Sequence, residues 1–112
     1  MNLIERIRAL EEVRRSASVE AWGEDDKPAV LYALPLSVKD MAWVQRRHKD
    51  FLNAMQVEGM VDLIIFKAED EGGEKCFTKE DKPILMRKVS LNVIAGIFGD
   101  LWGDLGDDAE KN

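Results

Sequence analysis

Apolar side chains recur at helical spacing at the start of the chain. Leu3, Ile4, Ile7 and Leu10 share one face, and charged side chains fill the other, so residues 2–15 predict an amphipathic helix. This apolar stripe requires a partner surface to cover it.

The pattern then changes to one typical of strands. Residues 19–22 and 30–34 are two short runs rich in β-branched and aromatic side chains. Between them, residues 23–28 carry glycine, aspartate and proline, which favour turns. The sequence therefore predicts a β-hairpin.

A long helix is expected after this hairpin. Pro35 closes the second strand, Ser37 suits the N-cap position, and Asp40 lies three residues on, where it complements the amides of the first turn. Gly59 is expected to end or bend the helix. Its predicted apolar face consists of Met41, Val44, His48, Phe51, Leu52 and Met55.

Residues 60–66 are apolar almost all round, as in the most buried helix of a small bundle. Periodicity alone does not exclude a strand here, and we favour the helix. Residues 71–74 predict a loop. Thr78, followed by Glu80 and Asp81, predicts the N-cap of a short helix that continues through Met86.

Ser90 is the predicted N-cap of the last helix, whose apolar stripe is Leu91, Ile94, Phe98, Leu101, Trp102 and Leu105. Glycines recur along it at Gly96, Gly99, Gly103 and Gly106. Each costs about 1 kcal/mol relative to alanine inside a helix. This helix either folds fully only against a partner or packs on its own domain and frays at its end.

Together these elements predict an α+β fold that is mainly α, with an N-terminal helix, a short β-hairpin and then a small bundle of three to four helices. A chain of 112 residues has room for one modest core. We expect a single domain over residues 1–105 and a flexible acidic tail over residues 106–112.

Charge and composition exclude several classes of protein. The formal net charge of −6 disfavours nucleic acid as a ligand. The apolar run 61–66 is interrupted by Asp62 and is too short to span a membrane, and the N-terminus lacks the apolar core of a secretory signal. A single cysteine, Cys76, excludes an internal disulfide and fits a reducing compartment. We expect a cytoplasmic protein.

Candidate chemistry is sparse. The chain lacks a nucleophile with a base, a phosphate loop and a metal-ligand spacing, so we expect no catalysis, no cofactor and no metal site. His48 is expected to be a core or boundary histidine rather than a base. Cys76 is expected to be small, buried and inert.

The remaining hypothesis is binding to another protein. Five methionines and three tryptophans exceed what a minimal core requires, and both residue types are favoured on protein-binding surfaces. The alternative is that most of these side chains fill the core. The candidate binding residues are Trp22, Met41, Trp43, Phe98, Leu101 and Trp102.

The order of these features resembles that of the tail assembly chaperones of long-tailed bacteriophages and prophages. The most specific part is the acidic-glycine loop followed by Phe77-Thr78 and Glu80-Asp81, and Trp22-Gly23 comes second. The chain departs from the family in the inserted residues 24–28 and in Arg46-Arg47. The remaining matching segments are Leu3 with Arg6-Ile7, residues 19–23, residues 34–37 with Asp40, residues 67–70, and residues 90–98.

This resemblance implies a specific role. Such chaperones coat the long helical tape measure protein in the host cytoplasm, keep it soluble and help the major tail tube protein polymerise around it. In many relatives a frameshift adds a second domain that recruits the tube protein. The resemblance therefore implies the tape measure protein as the client, the tube protein as a partner of a longer form, and a possible homo-oligomer.

A different class of protein also fits the acidic surface. A small adaptor or regulatory protein would bind one basic protein partner in a single stoichiometric complex. A chaperone would bind in many copies along one long client, so the mass of the complex distinguishes the two. An enzyme is the third candidate, and it would depend on His48 and ordinary carboxylates.

Overall fold

The fold is α+β and mainly α, as the sequence predicts. The computed structural model describes residues 2–51 and 56–103. The predictions for Leu52, Met55, Leu105 and Gly106, and for the tail 106–112, lie outside these residues. The elements are α1 (Leu3–Arg8), β1 (Arg15–Glu24), β2 (Lys27–Ala33), α2 (Val38–Arg47), α3 (Val57–Lys67), a 3-10 turn (Lys79–Asp81), α4 (Lys82–Lys88) and α5 (Leu91–Trp102).

Helix α1 is shorter than the predicted helix 2–15. The Asn2 side chain accepts a hydrogen bond from the Glu5 amide at 2.9 Å, and the helix ends after Arg8. It ends early because Arg15 already pairs with Ala33 in the hairpin. No residue of α1 is buried, so its apolar stripe is open to solvent.

The hairpin is confirmed, and its strands are longer than predicted. Glu24 pairs with Lys27, which leaves Asp25 and Asp26 as the two turn residues, both with positive φ. Two positive φ angles match the twist of the strands, and aspartate tolerates this conformation. Gly23 is required beside the turn, because a Cβ there would lie 1.9 Å from the Lys27 carbonyl oxygen.

The chain after α3 adds a short edge to this sheet, which the sequence pattern did not indicate. Tyr32 and Glu69 exchange two backbone hydrogen bonds of 2.8 Å, and Glu69 also forms a bridge with Lys75. The predicted loop 71–74 lies between these positions. It is therefore anchored at both ends.

The start of α2 is confirmed, and its end is not where we expected it. Ser37 and Asp40 form a reciprocal capping box, but the helix ends at Arg47 and the chain turns at His48. Gly59 lies inside α3 rather than at a helix end. Its missing side chain makes room for Phe51, since a Cβ there would lie 2.5 Å from the Phe51 ring.

Helix α3 is the most buried helix, which confirms the helical interpretation of residues 60–66. Its core positions are Val61, Leu63, Ile64 and Ile65. Helix α4 follows the 3-10 turn, which a capping box between Thr78 and Asp81 opens. The predicted N-cap residue Thr78 is therefore confirmed.

Helix α5 packs against β1 and α3, within its own chain. Ser90 caps it through a hydrogen bond from the Val93 amide. Leu91 belongs to the predicted apolar stripe, but it is exposed in the structure, while Ile94 of the same turn is buried. Ile97, which the predicted stripe omitted, is buried instead.

Two of the α5 glycines have no packing role. A Cβ at Gly96 or Gly99 would meet nothing within 4 Å. We predict that Gly96→Ala raises the free energy of unfolding by about 1 kcal/mol, because alanine lowers the entropic cost of the helix. Urea denaturation monitored by circular dichroism measures this change.

Gly59→Ala is the matched control. It places a methyl group against the buried Phe51 ring and should lower the free energy of unfolding by about 1–3 kcal/mol. A Gly96→Ala variant that is destabilised to a similar extent would contradict the placement of this glycine in open space.

Candidate functional site

The six predicted binding residues fall into two groups. Phe98, Leu101 and Trp102 are buried in the core, with at most 6% of each residue exposed. Trp22, Met41 and Trp43 are half-buried at the edge of the core. Only the second group offers surface to a partner.

The structure places Phe98, Leu101 and Trp102, three of the six predicted binding residues, inside the core of the domain. Phe98 packs edge-to-face on Phe51 and on Trp102. The Trp102 indole nitrogen donates a hydrogen bond to the Leu34 carbonyl oxygen at 3.0 Å. These side chains attach α5 to the rest of the domain, so a partner does not reach them.

Trp43 forms the centre of the candidate site together with Phe66. Their rings stack with centroids 4.7 Å apart, and 44% of Phe66 is exposed. The Arg47 guanidinium lies over the Trp43 ring, 5.1 Å from the ring centroid. Helix geometry explains this contact, because Arg47 follows Trp43 by four residues on one face.

An open groove of about 530 Å³ surrounds this stack, and we call it the Trp43 groove. Its apolar lining comes from α2, α3 and the segment before the 3-10 turn. Its charged lining comes from α2, α3, the loop after α3, the 3-10 turn and the start of α4. The lining side chains are Trp43, Ile65, Phe66, Phe77 and Thr78, with Arg47, Asp62, Lys75, Lys79 and Lys82.

The other two half-buried candidates differ in their relation to the groove. Trp22 packs edge-to-face on Phe77, with centroids 6.1 Å apart, so the hairpin supports one wall. Met41 packs against the core and does not line the groove. The structure thus brings Trp22 and Trp43 to one region and leaves Met41 outside it.

A buried carboxylate, Asp62, holds the charged side of the groove together. His48 Nε2 donates to Asp62 Oδ2 at 2.7 Å, and Lys82 Nζ lies 2.9 Å from Asp62 Oδ1. Lys82 also contacts Glu58 at 2.8 Å, and Arg47 lies 3.7 Å from Asp62. Asp62 therefore joins α2, α3 and α4 at one point.

The surroundings of Asp62 and Lys82 keep both of these groups charged. Burial alone would raise the pKa of Asp62, but hydrogen bonds from His48 and Lys82 outweigh it and lower the pKa below its ordinary value. Burial would lower the pKa of Lys82, and its bonds to Glu58 and Asp62 raise it instead. At neutral pH the ion pair is fully formed.

A second carboxylate, Asp40, is paired in the same way between α2 and α3. Asp40 accepts hydrogen bonds from Lys67 Nζ at 2.6 Å and from the Ser37 amide at 2.9 Å. Burial alone would raise the pKa of Asp40, and the bond from Lys67 followed by that from Ser37 lowers it overall. The start of α2 is thereby tied to the end of α3.

The loop that carries Lys75 is held in place by an arginine. Arg14 donates to Glu69 and to the carbonyl oxygens of Asp70 and Glu71, each at 2.9 Å, and its guanidinium lies 4.8 Å from the Tyr32 ring centroid. Lys75 Nζ reaches the Phe66 carbonyl oxygen and lies 5.5 Å from the Phe66 ring centroid. The loop thus forms a fixed part of the groove.

The sequence analysis missed Phe66, Phe77 and the three lysines of the groove. One available signal was the spacing of Trp43 and Arg47, which places a cation over an aromatic ring on a helix. Lys79 and Lys82 lie three residues apart at the junction of the 3-10 turn and α4, and only the tertiary fold brings Lys75 and Phe66 to them. Arg46-Arg47 was noted as a departure from the family pattern rather than as part of a site.

The two side chains considered for chemistry occupy other places. His48 is largely buried and bonded to Asp62, as expected for a boundary histidine, and it does not line the groove. Within residues 2–51 and 56–103, no three histidine, cysteine, aspartate or glutamate side chains gather as a metal site would require.

Cys76 is exposed, contrary to the prediction that it is buried. It lies outside the core because the chain runs along the sheet edge here, where the Cys76 amide bonds to the Ala68 carbonyl oxygen. Partial desolvation of the sulfur, followed by the charges of Asp70 and Glu69, raises the pKa of the thiol. Its nucleophilic thiolate form is therefore suppressed at neutral pH.

A second cleft, of about 420 Å³, lies at the hairpin turn. Its charged lining includes four acids, Glu20, Glu24, Asp25 and Asp26, and one lysine. Negative charge thus gathers at the hairpin, and positive charge gathers in the Trp43 groove.

Comparisons with protein families, with curated proteins and with solved structures found no match to this chain. In the part of the chain that the structure describes, every helix is too short or too polar to cross a membrane.

We predict that Asp62→Asn lowers the free energy of unfolding at pH 7 by about 2 kcal/mol, because His48 and Lys82 lose a charged acceptor. The pKa of Asp62 is lower in the folded chain than in the unfolded chain, where it is near 3.8, so the charged carboxylate stabilises the fold above about pH 3.8. This contribution is lost as the pH falls through the pKa of the folded state. The variant should therefore lose less stability between pH 5 and pH 2. Urea denaturation across this range tests both effects.

Asp50→Asn removes the same charge from an exposed position and serves as the control. It should leave the free energy of unfolding at pH 7 and its pH dependence close to those of the unmodified chain. Equal behaviour of the two variants would contradict the stabilising role of the Asp62 network.

We also predict that Cys76 reacts slowly with iodoacetamide at pH 8 although it is exposed. The raised pKa leaves little thiolate, so unfolding the protein in urea at the same pH should speed the reaction. Mass spectrometry of the alkylated chain measures both rates. A folded rate equal to or above the unfolded rate would contradict the effect of the neighbouring carboxylates.

Proposed function

We propose that this protein is a tail assembly chaperone of a long-tailed phage or prophage, which binds the tape measure protein in the host cytoplasm and keeps it soluble. Its further role is to promote polymerisation of the tail tube around the bound client. A longer, frameshifted form recruits the major tail tube protein. The resemblance of the sequence to this family names the client and the tube protein.

The observation that carries the proposal is the exposed stack of Trp43 and Phe66 in an open groove. Aromatic side chains in a concave site are the usual anchors of protein–protein contacts. Phe66 retains 44% of its exposure while it stacks on Trp43, so apolar area remains available to a partner. An amphipathic client helix would cover it with its own apolar face.

Helix α1 supplies a second apolar surface. Leu3, Ile4 and Ile7 are each more than half exposed although they form one stripe. A long client that is coated by many copies needs contact area beyond one groove, and weak contacts repeated along it add up through multivalency. The same weakness of each contact lets the copies leave as tube subunits arrive.

The acidic cleft at the hairpin favours a second candidate function. Glu20, Glu24, Asp25 and Asp26 would suit a basic protein partner, as in a small acidic adaptor. Such an adaptor forms one stoichiometric complex. Native mass spectrometry of the purified complex distinguishes it from a chaperone bound in many copies.

The test is co-expression with the tape measure protein encoded in the same genome. We expect the chain to move the client into the soluble fraction, and we expect Phe66→Ala to weaken this effect. Loss of an aromatic anchor costs about 2 kcal/mol, which corresponds to roughly 30-fold in affinity. Soluble client after centrifugation and the affinity for purified client segments are the measurements.

Ile84→Ala is the matched control, because Ile84 is an exposed apolar residue that does not line the groove. Circular dichroism establishes that both variants remain folded. A client that stays insoluble with the unmodified chain, or that Phe66→Ala and Ile84→Ala solubilise equally, would reject the proposed role of the groove.

A further inference from the structure

The Trp43 groove carries positive charge on a protein whose net charge is −6. Arg47, Lys75, Lys79 and Lys82 line it, and Asp62 is the one carboxylate among its lining residues. Charge of the opposite sign lies at the hairpin cleft. This separation gives the groove a local potential that differs in sign from that of the whole chain.

The cations of the groove differ in the number of contacts that they already make within the chain. Lys82 is held by Glu58 and Asp62, and Arg47 approaches Asp62 and stacks on Trp43. Within the described part of the chain, the Lys79 side chain takes part in no hydrogen bond or ion pair, and only its backbone carbonyl oxygen accepts one, from the Lys82 amide. Lys79 is the first residue of the 3-10 turn and lines the groove, and its exposed ammonium can meet a new carboxylate without breaking a contact.

We propose that the Trp43 groove selects a protein segment in which a large apolar anchor is flanked by carboxylates. The anchor packs on the Trp43–Phe66 stack, and the carboxylates face Lys79, Lys75 and Arg47. This inference rests on the proposal that the groove binds a segment of another protein. It adds the chemistry by which that segment is chosen.

Aromatic rings beside cations also occur where single-stranded nucleic acid binds. The charge of the whole chain favours a protein segment instead. A polyanion longer than the groove would extend over the rest of a chain whose net charge is −6, whereas a short carboxylate-flanked segment meets the local cations alone. Nucleic acid is therefore the occupant that the experiment must exclude.

The experiment uses three fluorescent 18-residue amphipathic peptides with one apolar face in common. The positions that flank this face carry glutamate in the first peptide, glutamine in the second and lysine in the third. We expect the glutamate peptide to bind roughly tenfold more tightly than the glutamine peptide in low salt, and the lysine peptide to bind most weakly. The difference should shrink as salt is added, because salt screens exposed charges. Fluorescence anisotropy measures the affinities.

Lys79→Glu should abolish most of the preference for glutamate over glutamine. Lys88→Glu makes the same change of charge at an exposed position outside the groove, and it should leave the preference within about twofold. Equal affinities for the three peptides, equal behaviour of the two variants, or no binding of any peptide would each overturn the inference. An oligothymidine that displaces the glutamate peptide at equal concentration would overturn it as well.

The outcome separates this inference from the proposed function. If the chain solubilises its client through Phe66 but binds the three peptides equally, the function stands and the charge selection falls. If the glutamate peptide is preferred and the client stays insoluble, the groove has the stated specificity and the identification of its client is wrong.

Discussion

The arrangement of the helices depends on one buried carboxylate. Asp62 lies in α3, the most buried of the described helices, where an unpaired charge would cost several kcal/mol. His48 and Lys82 satisfy it from the end of α2 and from α4, so the three helices can come together only in the geometry that completes this network. The same geometry brings Trp43, Phe66 and Lys82 to one groove. The site is thus a consequence of how the buried charge is satisfied.

Local signals in the sequence were enough to predict most of the elements. Ser37, Thr78 and Ser90 each precede a helical turn whose amides they cap, and such caps act within four residues of the chain. The helix ends were less predictable, because they depend on distant partners. Helix α2 stops where His48 turns toward Asp62, and the predicted helix 2–15 could not reach its expected end because Arg15 pairs with Ala33 in the hairpin.

The candidate site was only partly predictable for the same reason. Trp22 and Trp43 could be chosen from the sequence as large side chains in excess of a small core. Burial then divided the six candidates, because an apolar stripe on α5 looks the same in sequence whether it faces a core or a partner. Phe98, Leu101 and Trp102 face the core, and Ile97 joins them through a tertiary contact that periodicity did not identify.

The glycines of α5 bear on whether this helix folds against a partner or against its own domain. An isolated helix with Gly96 and Gly99 in its interior is weak, yet here the buried side chains on its other face hold it against β1 and α3. Because neither glycine is needed for packing, the low intrinsic helicity of α5 is a separate property of the sequence. It leaves α5 dependent on its packing against the hairpin and α3.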